Sequence, residues 1–150
     1  MKKISKNISY KEAINSNYAL IHKINNKPSK AVVENMEVLS EKIFEPLREW
    51  AGGPIRVNSF FRSNELNSAI KGSLNSQHLT GNAIDISTLN EKSNAELFYY
   101  IKNNLDFDQL IWEFGNAAEP KWIHVSFSTT SKNRKRTLQV LRKGIYYILE

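Results

Sequence analysis

The chain between residues 29 and 51 carries apolar side chains at every third or fourth position, which is the spacing of an amphipathic helix packed on a core. Pro46 interrupts this stripe, so we expect either a kink or a new helical segment there. A capping-box sequence at residues 93–96 begins a second, shorter stripe and predicts a structural helix. Both stripes are interpreted as core-facing surfaces. The first consists of Val33, Met36, Leu39, Ile43, Phe44, Leu47 and Trp50.

Alternating apolar and polar positions predict β-strands in other parts of the chain. The predicted strands cover residues 55–60, 83–87, 108–114 and 121–127. The last two flank a turn at residues 115–120, so this pair predicts an antiparallel hairpin. The apolar residues near the C-terminus predict a terminal strand or helix within residues 138–149. Residues 1–30 carry few strong signals and are predicted to wrap the surface, with one short helix at residues 10–14.

The composition limits the architecture and the kinds of site that are available. With 150 residues and 41% hydrophobic content, the chain is long enough for one domain with a single core and too short for two ordinary domains. Because it has no cysteine, disulfide frameworks and thiolate metal sites are excluded, and His and Asp become the natural metal ligands. We expect a monomer.

The N-terminal residues are positively charged but have no apolar run long enough for a signal peptide, and no window of the chain resembles a membrane span. We therefore expect synthesis in the cytoplasm and no membrane insertion. A formal net charge of +6 favours non-specific contact with polyanions, among them nucleic acids and the acidic polymers of cell walls. The densest basic cluster, at residues 132–136, has no interleaved aromatic residue and is interpreted as a solvated face rather than a nucleic-acid site.

The strongest chemical signal is the stretch from Ser76 to Ile86, which joins an imidazole and a carboxylate across a glycine turn. In the alternating strand that ends this stretch, Ile84 and Ile86 face a core while Asp85 points to the opposite face. His78 lies just before the turn, so the chain can fold back and bring its imidazole beside Asp85. The pair is typical of half a metal site.

A third ligand is sought among the remaining histidines. His22 lies in the polar N-terminal segment, whereas His124 lies in a predicted strand and shares one face with Trp122 and Ser126. His124 is therefore the better candidate. Two imidazoles and one carboxylate suit Zn²⁺, and three protein ligands would leave the fourth tetrahedral position to water. The set His78, Asp85 and His124 predicts hydrolysis by metal-activated water.

The motif Ser-x-His-x-x-Gly-x-Ala-x-Asp at residues 76–85, followed by Trp-x-His at residues 122–124, resembles the zinc D-alanyl-D-alanine carboxypeptidase family. That family includes phage endolysins that cut peptidoglycan peptides, and it shares its zinc-site architecture with the hedgehog signalling domain. The resemblance extends over residues 32–127, since further family motifs occur in the same order. It implies an α+β fold, in which helices pack on one face of a small, mainly antiparallel sheet and the zinc cleft lies on the other.

The resemblance also implies functions for individual residues and a division of the chain. Arg62 would bind a substrate carboxylate or the oxyanion, whereas the residue pattern alone would make it a surface salt-bridge arginine. Ser76 would hydrogen-bond the substrate, and its alternative is a turn or cap hydroxyl. A single zinc peptidase domain would cover residues 1–150, with a surface segment (1–30), a catalytic core (31–128) and a basic C-terminal segment (129–150).

The general base is the position at which this sequence departs from several family members. Those members have a glutamate three residues before the last histidine, where this chain has Lys121. Two glutamates remain as candidates. Strand alternation places Glu113 across the predicted hairpin on the same face as His124, whereas Glu119 lies in the turn and is interpreted as a solvated charge.

Three functions are therefore considered. The first is a zinc peptidase of peptidoglycan stem peptides, of phage or prophage origin, that reaches the wall after release by lysis or by delivery in a virion. The second is a non-catalytic zinc-containing binding module of the same fold. The third is a nucleic-acid-binding protein that uses the basic C-terminal segment. The intact Glu113 favours the peptidase, but the sequence does not identify the bond that is cut.

Overall fold

The computed structural model describes residues 2–149, in which short elements at both ends flank a helical layer and a mixed sheet. The helices within this range are α1 (Tyr10–Ile14), α2 (Asn17–Ile21), α3 (Lys30–Leu39), α4 (Glu45–Ala51), α5 (Asn64–Ala69) and α6 (Asn94–Asn104). The strands are β1 (Lys3–Ser5), β2 (Ile8–Ser9), β3 (Ile55–Ser59), β4 (Ala83–Thr88), β5 (Gln109–Glu113), β6 (Trp122–Ser126), β7 (Arg136–Arg142) and β8 (Ile145–Ile148).

The larger sheet has six strands in the order β3-β4-β6-β5-β7-β8, and β1 pairs with β2 in a separate hairpin. All neighbours in the larger sheet are antiparallel except β5 and β7, which run parallel. The predicted α+β fold with a mainly antiparallel sheet is therefore confirmed. The predicted hairpin is formed by β5 and β6.

Alternation along the strands gives the larger sheet one buried face and one face that is open to the cleft. Ile84 and Ile86 of β4, with Ile123 and Val125 of β6, have no exposed surface and pack in the main core with α3, α4 and α6. The intervening residues point to the opposite face, where Asp85 is only partly buried. The helices cover one face, so the cleft lies on the other.

The long amphipathic stripe forms one continuous helical segment instead of two separated ones. A π-helical turn at Ser40–Phe44 joins α3 to α4, and Pro46 lies in the first turn of α4. Proline has no backbone N–H to donate to the preceding turn, and here that turn is the wider π-helical one, in which the Glu45 N–H bonds to the carbonyl oxygen of Ser40. Five residues of the predicted stripe are buried: Met36, Leu39, Ile43, Phe44 and Leu47. Val33 is partly buried, whereas Trp50 is 37% exposed and stacks on Tyr100, so its predicted place in the core is wrong.

The two chain ends differ from the expectations. Helix α1 forms at the predicted position, but Ile4, Ile8 and Ala13 are buried in the main core, so the N-terminal segment does not merely wrap the surface. At the other end, β7 joins the sheet beside β5 and β8 forms its outer edge. The predicted terminal strand is therefore present, but all four residues of β8 are exposed, so their side chains are not part of the core.

Candidate metal centre

The imidazole of His78 is held by a short 3₁₀ turn at Gln77–Thr80. Ser76 caps this turn, since its Oγ accepts a hydrogen bond from the His78 backbone N–H at 3.3 Å. Gly81 ends the turn with φ of +75°, and a Cβ there would lie 2.6 Å from the carbonyl oxygen of Val32. Glycine is required at this position because of both the left-handed backbone and the close approach.

The hydrogen bond of His78 determines which nitrogen of its ring carries the proton. The side chain is 1% exposed, and Nδ1 lies 2.7 Å from the carbonyl oxygen of Phe60. Because that oxygen can only accept, Nδ1 carries the proton and donates it, which leaves a lone pair on Nε2. Nε2 is buried and has no hydrogen-bond partner. Metal-bound histidines commonly donate their second ring N–H to such an acceptor.

Asp85 and His124 come together through strand pairing. They are direct partners in the register of β4 and β6, so their side chains leave the same face side by side. His124 Nδ1 lies 2.9 Å from Asp85 Oδ1, and His78 Nε2 lies 3.3 Å from Asp85 Oδ2. Ligand atoms of all three residues lie within 4.8 Å of one another. The structure thus brings together the three ligands that the sequence predicted.

The two imidazoles determine the ionisation of Asp85. Burial alone would raise the pKa of this carboxyl, but the attraction of His78 and the hydrogen bond with His124 outweigh burial and hold the pKa well below its usual range. Asp85 is therefore an anion at any ordinary pH. His22 lies outside this group, at the C-cap of α2, where its ring stacks on Tyr18 at a centroid distance of 4.1 Å.

These residues fit a divalent metal ion. The buried Nε2 of His78 makes no hydrogen bond, and the atom beside it is an oxygen of Asp85 at 3.3 Å, so a cation held between these two atoms would satisfy both of them. Two imidazole nitrogens and one carboxylate oxygen form a donor set that Zn²⁺ accepts. The site opens into a cleft of about 560 Å³, which leaves room for further ligands.

Glu113 lines the same cleft. It pairs with Trp122 in the register of β5 and β6, two residues from the position where Ile111 pairs with His124. Burial raises the pKa of Glu113 to about 7, an effect that His124 opposes and Asp85 reinforces. A carboxyl with this pKa can both take up and release a proton near neutral pH, as a general base requires.

Glu119 has a structural function. Its two carboxylate oxygens accept hydrogen bonds from the backbone N–H groups of Asn94 and Ala95, at 3.1 and 2.7 Å. These groups belong to the first turn of α6, whose positive dipole end favours a carboxylate. The interpretation of Glu119 as a solvated loop charge is therefore wrong. It is a helix cap, and its oxygens are already engaged.

Arg62 and Ser76 lie together at the edge of the centre. Arg62 Nη2 donates to Ser76 Oγ at 3.3 Å, while Arg62 Nε is buried and has no hydrogen-bond partner. Burial lowers the pKa of this guanidinium and Asp85 opposes the effect. A half-buried guanidinium with a free N–H is suited to an anionic group entering the cleft. Ser76 is the cap hydroxyl of the alternative interpretation and also lines the cleft, and its hydrogen bond to a substrate stays a prediction.

The expectation of a solvated face at residues 132–136 is confirmed for the basic side chains, which are all exposed, but Arg134 also has a specific partner. Arg134 Nε and Nη2 donate to the two oxygens of Asp108, at 2.9 and 2.8 Å, and Asp108 is 4% exposed. The hydrogen bonds from Arg134 hold the pKa of Asp108 below its usual value, although burial opposes them. Gln77, next to His78, donates to the same carboxylate at 3.1 Å.

Several residues of the cleft were not found from the sequence. The wall beyond β5 is formed by Arg136 and Leu138 of β7 and Tyr146 of β8. Their alternation along the chain was visible, but it does not reveal which strand becomes the neighbour of β5. Gln109, Ile111 and Trp122 complete the floor, on the face that strand alternation predicted.

Comparisons with known proteins identify the family. A search of curated proteins gave no match. No helix within residues 2–149 combines the length and apolar character needed to cross a membrane. The family model described as Peptidase M15 matches residues 10–126, which is well over half of the chain and includes all three candidate ligands and Glu113. This chain belongs to the peptidase M15 family.

Proposed function

We propose that this protein is a zinc-dependent peptidase that hydrolyses peptide bonds in the stem peptides of peptidoglycan. The observation that carries the proposal is the convergence of His78, Asp85 and His124 at the base of an open cleft that also contains Glu113. The family match supports peptide hydrolysis in general. The choice of peptidoglycan, and of a phage or prophage origin, follows from the resemblance of residues 76–85 and 122–124 to D-alanyl-D-alanine carboxypeptidases and endolysins.

His78, Asp85 and His124 would hold the zinc ion. When bound, such an ion supplies Lewis acidity toward water and toward the peptide carbonyl. Phe60 fixes the ring of His78 through its carbonyl oxygen. The contact between His124 Nδ1 and Asp85 Oδ1 joins two of the proposed ligands and would be exchanged for bonds to the ion.

Glu113 would move the proton in the reaction. Its carboxylate, which lines the cleft beside the centre, would accept a proton from the attacking water and then deliver that proton to the amine of the leaving peptide. Arg62 would donate hydrogen bonds to the carbonyl oxygen as negative charge develops, or to a terminal carboxylate of the substrate. Ser76 orients Arg62 through the hydrogen bond between Oγ and Nη2.

The wall substrate also agrees with the charge of the protein. A net charge of +6 would draw the protein to the acidic polymers of a cell wall and would support non-specific contact with them. We expect the protein to act as a monomer after release from the producing cell or after delivery in a virion. The alternative is a non-catalytic zinc-containing module of the same fold. Such a module would not need an open cleft or a glutamate whose pKa is raised to about 7.

The test is mass spectrometry of the muropeptides released from isolated peptidoglycan by the zinc-loaded protein. The wild type should release new fragments, whose masses identify the cut bond. Glu113→Gln should keep the zinc but release about 10²–10⁴-fold less, as expected for the loss of a general base. Glu119→Gln is the matched control and should keep the turnover of the wild type at a temperature where it remains folded. Release of no fragments by the zinc-loaded wild type would favour the binding module.

A further inference from the structure

The β7–β8 hairpin forms one side of the cleft, opposite the turn that carries His78. In the parallel register of β5 and β7, Arg136 pairs with Gln109 and Leu138 pairs with Ile111. Paired residues of neighbouring strands point to the same face, so Arg136 and Leu138 project toward the cleft. The family match ends at residue 126, so this hairpin lies outside the matched segment.

The guanidinium of Arg136 is a free positive charge in this cleft. Within residues 2–149 its side chain has no hydrogen-bond or ion-pair partner, in contrast to Arg134, which binds Asp108. The neighbouring lining residues Ser73, Asn75 and Gln109 are uncharged. The acidic residues of the cleft, Asp85 and Glu113, belong to the candidate metal centre. This end of the cleft therefore attracts an anion.

The spacing of the strands gives the distance between Arg136 and the candidate metal centre. The register runs from His124 on β6 through Ile111 on β5 to Leu138 on β7, which is two strand spacings, or about 10 Å. Arg136 lies two residues farther along β7, which adds about 7 Å along the perpendicular direction. The two displacements combine to about 12 Å, and an extended peptide advances about 3.3 Å per residue, so the level of Arg136 is reached about four residues from the centre.

We propose that Arg136 is a specificity-determining residue that binds a carboxylate of the substrate peptide, two to four residues from the bond that is cut. The proposal rests on the peptidase function proposed above. Two N–H groups of a guanidinium match the two oxygens of a carboxylate, and the apolar Leu138 lies two residues farther along β7 on the same face. The cleft thereby selects acidic peptides over their amidated or neutral counterparts.

The test uses matched pairs of synthetic stem-type peptides that carry either a free carboxylate or its carboxamide at one position. Cleavage by the zinc-loaded protein is measured as kcat/KM, and binding is measured by calorimetry with the Glu113→Gln protein. The protein carrying native Arg136 should prefer the carboxylate peptide by about tenfold, the contribution of one charge-assisted hydrogen bond. In Arg136→Gln, kcat/KM for the carboxylate peptide should fall to the level of the carboxamide peptide. For the carboxamide peptide, kcat/KM should differ from that of the wild type by less than about twofold.

Arg142→Gln is the matched control, because Arg142 is an exposed arginine of the same strand that does not line the cleft. It removes the same charge and should leave the preference intact. The proposal would be overturned if Arg136→Gln lowered kcat/KM equally for both peptides. It would also be overturned if Arg142→Gln reduced the preference for the carboxylate peptide as much as Arg136→Gln does. If peptides bind with the expected preference but none is cut, the proposed reaction fails while Arg136 keeps its function. If neither peptide binds, the inference about Arg136 fails too.

Discussion

Replacing Asp108 with asparagine tests how the C-terminal hairpin is joined to the rest of the sheet. Besides the two bonds from the Arg134 guanidinium, the Asp108 carboxylate accepts hydrogen bonds from the Arg134 backbone N–H and from Gln77, both at 3.1 Å. An asparagine accepts through one oxygen only and turns an NH₂ group toward these donors. At least two of the bonds are therefore lost in Asp108→Asn.

The expected cost follows from the exposure of the two partners. A hydrogen bond to a charged group contributes about 1.5–3 kcal/mol when both partners are buried. The side chain of Asp108 is 5% exposed but that of Arg134 is 54% exposed, so solvent screens part of their attraction. We expect Asp108→Asn to lower the free energy of unfolding by about 2 kcal/mol at pH 7.

The same pair predicts a pH dependence. The hydrogen bonds from Arg134 lower the pKa of Asp108 in the folded protein, so the carboxylate stabilises the fold above its unfolded-state pKa of about 3.9. This contribution is lost as the pH falls through the lowered pKa of the folded state. The stability difference between wild type and Asp108→Asn should be complete at pH 7 and should shrink below about pH 4.

Urea denaturation followed by tryptophan fluorescence measures these differences at pH 7 and at pH 3. The Arg134→Gln protein and the double variant complete a cycle, in which we expect a coupling free energy of about 1 kcal/mol at pH 7. A stability difference that is the same at both pH values, or a coupling near zero, would refute the reasoning.

Three further predictions concern the centre and its turn. His78→Ala should lower zinc affinity more than 100-fold by calorimetry, about the effect of losing one of three ligands, and unchanged affinity would move the site elsewhere. In metal-free protein, burial raises the pKa of Glu113 from 4.5 to about 7, so this carboxyl lowers stability progressively between those two pH values and by a constant amount above them. Glu113→Gln should therefore raise the free energy of unfolding, measured by urea denaturation, by about 2 kcal/mol at pH 8 and far less at pH 5. In thermal unfolding, Gly81→Ala should destabilise the fold more than Gly144→Ala. Both glycines have positive φ, but an added Cβ would meet backbone atoms only at Gly81 of these two, and equal effects would contradict this reasoning.

Strand alternation was sufficient to predict much of the centre. Because Asp85 and His124 alternate with buried isoleucines and valines, their shared face could be deduced before their pairing was known. The glycine turn after His78 indicated that the chain folds back there. The face of Glu113 followed from the same rule, so the floor of the cleft is a consequence of local sequence patterns.

The residues that the sequence did not predict depend on contacts between distant segments. Alternation gives the face on which Arg136 lies but not the parallel pairing of β7 with β5, which places it in the cleft. Glu119 caps a helix that begins at Asn94, and nothing local to residue 119 indicates that partner. Likewise, a run of basic residues indicates an exposed face, but nothing within the run shows that Arg134 binds the buried carboxylate of Asp108.

The proposed metallopeptidase is tested most directly by measuring metal content and turnover in the same preparation. The protein is stripped with a chelator, assayed on isolated peptidoglycan, reloaded with zinc and assayed again, with the zinc content of each sample determined by elemental mass spectrometry. One zinc ion per chain, with turnover lost on stripping and restored on reloading, is the predicted result. Full turnover by the stripped protein, or the absence of any bound zinc after reloading, would contradict it.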